Sequence, residues 1–232
     1  MLRCWGANDF GQVGAPPSPY EDVALAQLGP VKQVDTSDSH TCAVNEVDEV
    51  WCWGENSYGQ VGERGAAIPC GEGFCSPTPS RVDGVARVRE VAVSSVHSCV
   101  LTDDGRVLCW GYNEDGNLGD GSGVSTPTPT EVVGLPGEVI ALDVGRNGHF
   151  GAPTCVVVES GAVYCWGGDS VLTYVTPPDE LEVNVYGVCQ CAYAPVPVLI
   201  NLPIPARDVS IGLFHACALG GGAAGPVVSC WG

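Results

Sequence analysis

The chain has 232 residues, 45% of them hydrophobic, enough for one large all-β domain or two smaller ones. Twenty-seven acidic residues stand against nine basic ones, a formal net charge of -18, which argues against a nucleic-acid surface built on clustered Lys and Arg. No stretch approaches the roughly 20 uninterrupted apolar residues of a membrane helix, and the most apolar one, 195–206, is broken by prolines, so membrane insertion is not expected.

Cys-Trp-Gly occurs five times, as Cys4-Trp5-Gly6, Cys52-Trp53-Gly54, Cys109-Trp110-Gly111, Cys165-Trp166-Gly167 and Cys230-Trp231-Gly232. The interval suits one four-stranded propeller blade or one small helical repeat. It divides a single domain, 1–232, into units at approximately 7–54, 55–111, 112–167 and 168–232. In the clearest stretch, 76–119, Pro77-Thr78-Pro79 predicts a turn and Val88–Val93 a buried, β-branched strand. Val139–Val144 and 209–211 fill the same slot in later units. His97–Thr102 then runs into Asp103-Asp104-Gly105 and 106–110 returns, a hairpin whose three-residue loop puts glycine where positive φ is needed. Glu46-Val47-Asp48 and Glu159-Ser160-Gly161 are the matching loops, and no helix is required.

That register sets Cys42 opposite Cys52, Cys99 opposite Cys109 and Cys155 opposite Cys165, while Cys217 and Cys230 flank a longer glycine-rich loop. Facing residues of antiparallel strands meet disulfide geometry at non-hydrogen-bonded pairs, so cross-strand bridges are expected. Each closes a short loop and contributes about 2–3 kcal/mol in the chain-entropy model. Cys70 and Cys75 bracket Gly71-Glu72-Gly73-Phe74 and are expected to close a local loop. Cys189 and Cys191 are too close for an unstrained bridge to each other, and the position facing Cys4 falls upstream of Met1. Thirteen cysteines predict an oxidising location, whether extracellular, periplasmic or cell-surface, yet Met1-Leu2-Arg3-Cys4 has no signal segment. The expectation is a chain entered partway through a repeat, with further blades or a second chain completing a ring.

The segment after Cys-Trp-Gly also repeats, as Asn8-Asp9-Phe10-Gly11-Gln12-Val13-Gly14, Asn56-Ser57-Tyr58-Gly59-Gln60-Val61-Gly62 and Asn113-Glu114-Asp115-Gly116-Asn117-Leu118-Gly119. Followed by Pro-Thr-Pro, a Val-rich strand, His-Ser/Thr-Cys and Thr-x-Asp-Gly, it resembles the regulator of chromosome condensation repeat family over about three quarters of the chain. The resemblance implies a β-propeller of four-stranded antiparallel blades, usually seven, of which about four are present. It also implies a binding platform, since members include nucleotide-exchange factors and a bacterial inhibitor of β-lactamases. The paired cysteines resemble those of secreted bacterial members. After Trp166-Gly167 the pattern is lost to Gly168-Asp169-Ser170 and an insertion through Cys191.

Chemistry is sparse. The histidines His40, His97, His149 and His215 nearly keep pace with the repeat, but without any Cys-x-x-Cys they read as strand-end residues bonded to loop backbone, and no metal is expected. Asp38-Ser39-His40 lacks a nucleophile elbow, Gly220-x-Gly222-x-x-Gly225 lacks a following helix, and the oxygen-rich Asn113, Asp115, Asn117 and Asp120 lack a distal glutamate. Neither catalysis nor a cofactor is expected. Phe10, Tyr58, Tyr112 and Phe74, in or beside blade-end loops, are the candidate anchors for a protein partner, and the acidic surface suits a basic one. The expected function is a non-enzymatic interaction scaffold. The alternatives are an inhibitor of an extracellular hydrolase such as a β-lactamase and, less favoured with oxidised cysteines, a nucleotide-exchange factor for a small GTPase.

Overall fold

The computed structural model describes residues 1–62, 67–146, 152–168, 182–183, 189–190, 193–222 and 225–232. Its strands are β1 (Leu2–Asn8), β2 (Ser18–Leu25), β3 (Val31–Thr36), β4 (His40–Asn45), β5 (Val50–Glu55), β6 (Ile68–Cys70), β7 (Gly73–Arg81), β8 (Val88–Val93), β9 (His97–Thr102) and β10 (Val107–Gly111). They continue as β11 (Thr126–Glu131), β12 (Val139–Val144), β13 (Thr154–Val158), β14 (Val163–Gly167), β15 (Glu182–Val183), β16 (Cys189–Gln190), β17 (Ala194–Ile200), β18 (Ala206–Ile211), β19 (Ala216–Gly222) and β20 (Gly225–Trp231). A 3-10 turn at Ala26–Leu28 is the one helical element among the described residues.

Three sheets share one meander: β3-β4-β5-β7, with β6 added beside the start of β7, then β8-β9-β10-β11 and β12-β13-β14-β17. A two-stranded sheet, β1-β2, precedes them; β18-β19-β20 follows, and β15-β16 form a separate pair. First strands of successive sheets touch one another, β3 with β8, β8 with β12 and β12 with β18, so they are innermost and the fourth strands outermost. This is the blade order of a β-propeller, partial in extent. Each unit cut at Cys-Trp-Gly therefore carries the outer strand of one sheet and the three inner strands of the next.

The sheets share their irregularities as well. A register shift falls after the first residue of β3, β8, β12 and β18, and another at the glycine of Cys-Trp-Gly, between Cys52 and Gly54 and between Cys109 and Gly111. Gly54 takes φ 117°, and a Cβ there would lie 2.5 Å from the Ser39 carbonyl oxygen. Only glycine fits that bulge.

Pro77-Thr78-Pro79 is not a turn. It lies in β7, beyond the residues that β6 covers, and Pro127-Thr128-Pro129 lies in β11, an outermost strand. An outer edge needs no inter-strand donor from proline, which is why the motif fits there. Each such strand also supports the preceding sheet's loop: the Cβ site of Gly11 falls against Pro77, that of Gly59 against Pro127 and that of Gly116 against Pro195.

The core lies between sheets. Trp53, Trp110 and Trp166 are fully buried, Trp53 with Leu25 and Leu28, and Trp110 with Val44, Val50 and Val61 of the sheet before it. Disulfides join Cys42 to Cys52, Cys99 to Cys109, Cys155 to Cys165 and Cys217 to Cys230, at Cα separations of 4.0–4.1 Å that suit non-hydrogen-bonded pairs. Cys70 is joined to Cys75, and Cys4 is free and half-buried. His149, Cys191 and the side chain of Cys189 lie outside the described residues.

Candidate functional site

Because the strands alternate in direction, the links from first to second strand and from third to fourth strand leave one end of each sheet, here the loop face. The short hairpin loops and the links between sheets leave the other. Phe10, Tyr58, Phe74 and Tyr112 all belong to the loop face.

The loops are built alike. Asn56 Oδ1 accepts from the Val61 N–H at 2.9 Å, Gly59 N–H donates to the Asn56 carbonyl at 3.2 Å and Gly62 N–H to the Gly59 carbonyl at 2.9 Å. Asn8 and Asn113 repeat the arrangement with Val13 and Leu118. These side chains mimic a backbone turn and leave little side-chain oxygen for a metal. Asn113 also donates to Asp120 Oδ1, Ser122 Oγ and the Val124 carbonyl, so the oxygen-rich stretch is tied up internally.

Each loop is pinned to the next sheet. Trp53 Nε1 donates to the Gln12 carbonyl at 2.8 Å, Trp110 Nε1 to that of Gln60 at 2.9 Å and Trp166 Nε1 to that of Asn117 at 3.0 Å. Ser98 Oγ also donates to the Gln60 carbonyl, at 2.9 Å. The histidines differ from expectation here, for their ring contacts are hydroxyl groups rather than loop backbone. His40 Nε2 meets Ser98 Oγ at 2.8 Å and His97 Nε2 meets Thr154 Oγ1 at 2.9 Å, each in the following sheet, while Nδ1 faces Ser37 or Ser94. Burial holds both imidazoles far below their usual range, at about 3, so both are neutral. Ser39 Oγ donates to the Ser95 carbonyl, away from His40, so Asp38-Ser39-His40 forms no triad.

On top of this frame sit the aromatic residues. The Tyr58 and Tyr112 rings, from loops of adjoining sheets, have centroids 5.0 Å apart and planes at 67°, an edge-to-face pair. Phe74 is half-exposed on the same face: its N–H donates to Ser57 Oγ, and its carbonyl accepts from Asn56. Phe10 occupies the equivalent loop of the first sheet, half-buried, and has no aromatic neighbour among the described residues. The Tyr112 hydroxyl is pushed up to about 12, by burial first and then by the nearby carboxylates of Asp115 and Glu114.

A second cluster was not singled out from the sequence. The innermost strands carry Asp35, Glu90, Asp143 and Asp208, whose charges act on one another along the axis. Asp35 Oδ2 accepts from the Val93 N–H at 2.8 Å and Asp143 Oδ2 from the Ile211 N–H at 2.7 Å, each fixing the next sheet's inner strand. Arg146 reaches across to Asp35 Oδ1 at 2.9 Å and to the Thr36 carbonyl. Burial, with help from Asp143, Asp208 and Asp35 against Arg89, pushes the Glu90 carboxyl up to about 7. Aligning the repeats shows Asp35 and Asp143 in one slot, the signal that could have found them. Among the described residues no group of three or more His, Cys, Asp or Glu is placed to hold a metal ion.

Comparison with known proteins gives a consistent picture. A family model described as the regulator of chromosome condensation (RCC1) repeat matches residues 48–101 and 104–149, and a second of the same description matches 31–60 and 88–117. The chain is 27% identical over 234 residues to the RCC1 domain-containing protein RUG3, mitochondrial, of Arabidopsis thaliana, covering 94% of this chain and 48% of that one. It is 32% identical over 171 residues to the ultraviolet-B receptor UVR8 of the same plant, covering 70% and 36%. The chain thus spans half or less of these relatives. Among solved structures, human WBSCR16 superposes with a TM-score of 0.71 at 20% identity, over 97% of this chain and 55% of that one. Prp20p of Saccharomyces cerevisiae, reported with its binding properties to Gsp1p and histones, gives 0.67 at 20%, over 91% and 50%. At these identities the likeness is one of fold.

Proposed function

The chain belongs to the regulator of chromosome condensation repeat family, and from that premise we propose that it is a non-enzymatic protein-interaction scaffold that presents its loop face to a basic protein. The observation that carries this reading is the pairing of the exposed Tyr58 ring with the partly buried Tyr112 ring, held on a disulfide-stapled frame whose polar groups are turned to its own loops. Rigid aromatic side chains lose little entropy on binding and dominate interface energies. Prp20p, of like fold, has been studied for binding to Gsp1p and histones, which supports partner binding as a use of this architecture. The five bridges favour an oxidising compartment, extracellular, periplasmic or at the cell surface, and a secreted cysteine-rich type of the family, such as occurs in bacteria. The units 7–54, 55–111 and 112–167 would then each supply one such loop, while 168–232 carries an insertion in its place.

Replacing Phe74 by a photo-crosslinking residue tests the reading, with the same replacement at Glu46 on the hairpin face as control. A protein crosslinked from position 74 and not from 46, and lost in Tyr58→Ala, is the expected outcome. Equal crosslinking from both faces would remove the assignment. Inhibition of a purified extracellular hydrolase such as a β-lactamase by the chain, abolished by Tyr58→Ala, would make that partner an enzyme and the scaffold an inhibitor.

A further inference from the structure

We propose that the corner between the Tyr58 and Tyr112 rings, flanked by Glu114 and Asp115, receives an arginine or lysine side chain from an extended segment of a partner protein. This rests on the scaffold reading above and names the chemistry of its site.

Charge is divided between the two faces. Among the described residues, the loop-face links carry Asp9, Asp38, Glu72, Glu114, Asp115 and Asp120, and Glu55 ends β5 on the same side. The one Lys or Arg described there, Arg146, is bound to Asp35 and Thr36. The other described basic residues lie toward the hairpin face: Arg3, Lys32, Arg89 and Arg207 are each the second residue of a strand rising from it, Arg81 ends β7, and Arg87 and Arg106 lie in its links. Most are paired there, Arg3 with Asp22, Lys32 with Asp48, Arg81 with Glu49 and Asp83, and Arg106 with Asp104 and Glu131. The hairpin face also carries Glu46, Glu138 and Glu159 without a described ion pair, but most of its acids are offset by these cations, whereas the carboxylates of the loop-face links have no ion pair among the described residues.

Within it, the tyrosine corner adds a geometric requirement that diffuse charge lacks. A cation over an aromatic face is attracted by the ring quadrupole and held more strongly when carboxylates sit beside it. Asp115 and Glu114 lie close enough to Tyr112 for their charges to act on its hydroxyl, so carboxylate and ring share one loop. Tyr58 is 44% exposed, Glu114 is exposed, and the exposed Phe74 is bonded through its backbone to Asn56 and Ser57 of the Tyr58 loop. Because the rings come from adjoining sheets, an occupant bridges two blades. Asp38 and Glu55 to one side and Asp120 to the other would meet further cations, which favours an extended segment over a single ion.

The test uses the disulfide-intact full chain and fluorescein-labelled hexa-arginine and hexa-lysine peptides, with binding read by anisotropy at low and at physiological salt. At least one peptide should bind. Tyr58→Ala and Tyr112→Ala should each weaken it about fivefold, Tyr58→Phe by less than about twofold because the ring remains. Glu114→Gln and Asp115→Asn should each weaken it about threefold and flatten its salt dependence. Glu46→Gln and Glu159→Gln, on the hairpin face, should leave it unchanged. Equal losses on both faces, no loss in the two alanine variants of unchanged circular dichroism, or spermine bound as tightly as the peptides would overturn the proposal. A partner protein captured through Phe74 whose binding ignores Tyr112→Ala and Asp115→Asn would overturn it too, while the scaffold reading stood.

Discussion

His40 and Ser98 lie 58 residues apart in sequence and 2.8 Å apart across the junction of two sheets. Ser98 gives its hydroxyl proton to the Gln60 carbonyl, so the imidazole Nε2 of His40 is the donor to Ser98 Oγ. His97 and Thr154 repeat the contact one sheet later. The repeated His-Ser/Thr pair is therefore a linkage between blades, made by imidazoles that burial keeps neutral.

Acid should loosen these junctions. Both histidines titrate near 6.5 when unfolded and near 3 when folded, so the unfolded chain binds more protons in between. Their contribution is complete above about pH 6.5 and is lost as pH falls, by up to about 1.4 kcal/mol per pH unit for each. Glu90 acts in the opposite sense: its carboxyl, at about 7 in the fold against 4.5 unfolded, adds stability as pH falls from 7 to 4.5. Glu90→Gln should accordingly be more stable than wild type at pH 8 and lose stability more steeply between pH 6.5 and 4.5. Urea midpoints across that range decide it; a flat profile in the variant would mean the histidines are not held neutral.

Local pattern carried the fold. Hairpin loops, β-branched inner strands and the recurring Asn-x-x-Gly turn each depend on residues within about ten positions, and a period repeated along the chain locates them. Contacts between units were hidden. Pro77-Thr78-Pro79 looks like a turn in isolation and becomes an edge strand only when Gly11 of the preceding sheet rests against it. The aromatic residues could be named from their loops, but that Tyr58 meets Tyr112 follows from the stacking of two sheets. Likewise the axial carboxylates are ordinary acidic residues until four inner strands converge.

Asn117 marks a place where one repeat is imperfect. Gln60 Oε1 accepts the Tyr58 N–H at 3.0 Å and Gln12 Oε1 the Phe10 N–H at 2.9 Å. Asn117, one methylene shorter, donates to the Ala152 carbonyl at 2.8 Å and leaves its buried Oδ1 without a hydrogen bond among the described residues. Asn117→Gln should restore acceptance from the Asp115 N–H and raise stability by about 1 kcal/mol. Gln60→Asn should lower it by a similar amount. A loss in Asn117→Gln by chemical denaturation would show that the site cannot hold the longer side chain.

Two glycines with nearly the same backbone should differ sharply on substitution. Gly6 and Gly54 have φ of 124° and 117°, but an added Cβ meets nothing within 4 Å at Gly6 and meets the Ser39 carbonyl and His40 Cα at Gly54. Gly6→Ala should cost about 1 kcal/mol for backbone strain alone, and Gly54→Ala about 3 kcal/mol or more, since the first-to-second-strand turn must move. Equal costs would place the whole effect in φ and none in the contact.

The four buried tryptophans offer the sharpest comparison, because Trp53, Trp110 and Trp166 are anchored and Trp231 is not. Trp166 Nε1 donates to the Asn117 carbonyl and Trp110 Nε1 to the Gln60 carbonyl, whereas Trp231 Nε1 is buried without a partner among the described residues. Exchange for phenylalanine removes much the same apolar surface at each, so the differences isolate the hydrogen bond. Trp166→Phe leaves the Asn117 carbonyl with no described donor and should cost about 1–3 kcal/mol beyond packing. Trp110→Phe should cost less, because Ser98 still donates to the Gln60 carbonyl. Trp231→Phe should be mildest, since no bond is lost and an unpaired donor leaves the core. Urea denaturation of the three variants at one pH gives the order directly, and Trp231→Phe proving as costly as Trp166→Phe would show that ring packing, not the link to the preceding loop, holds these residues in place.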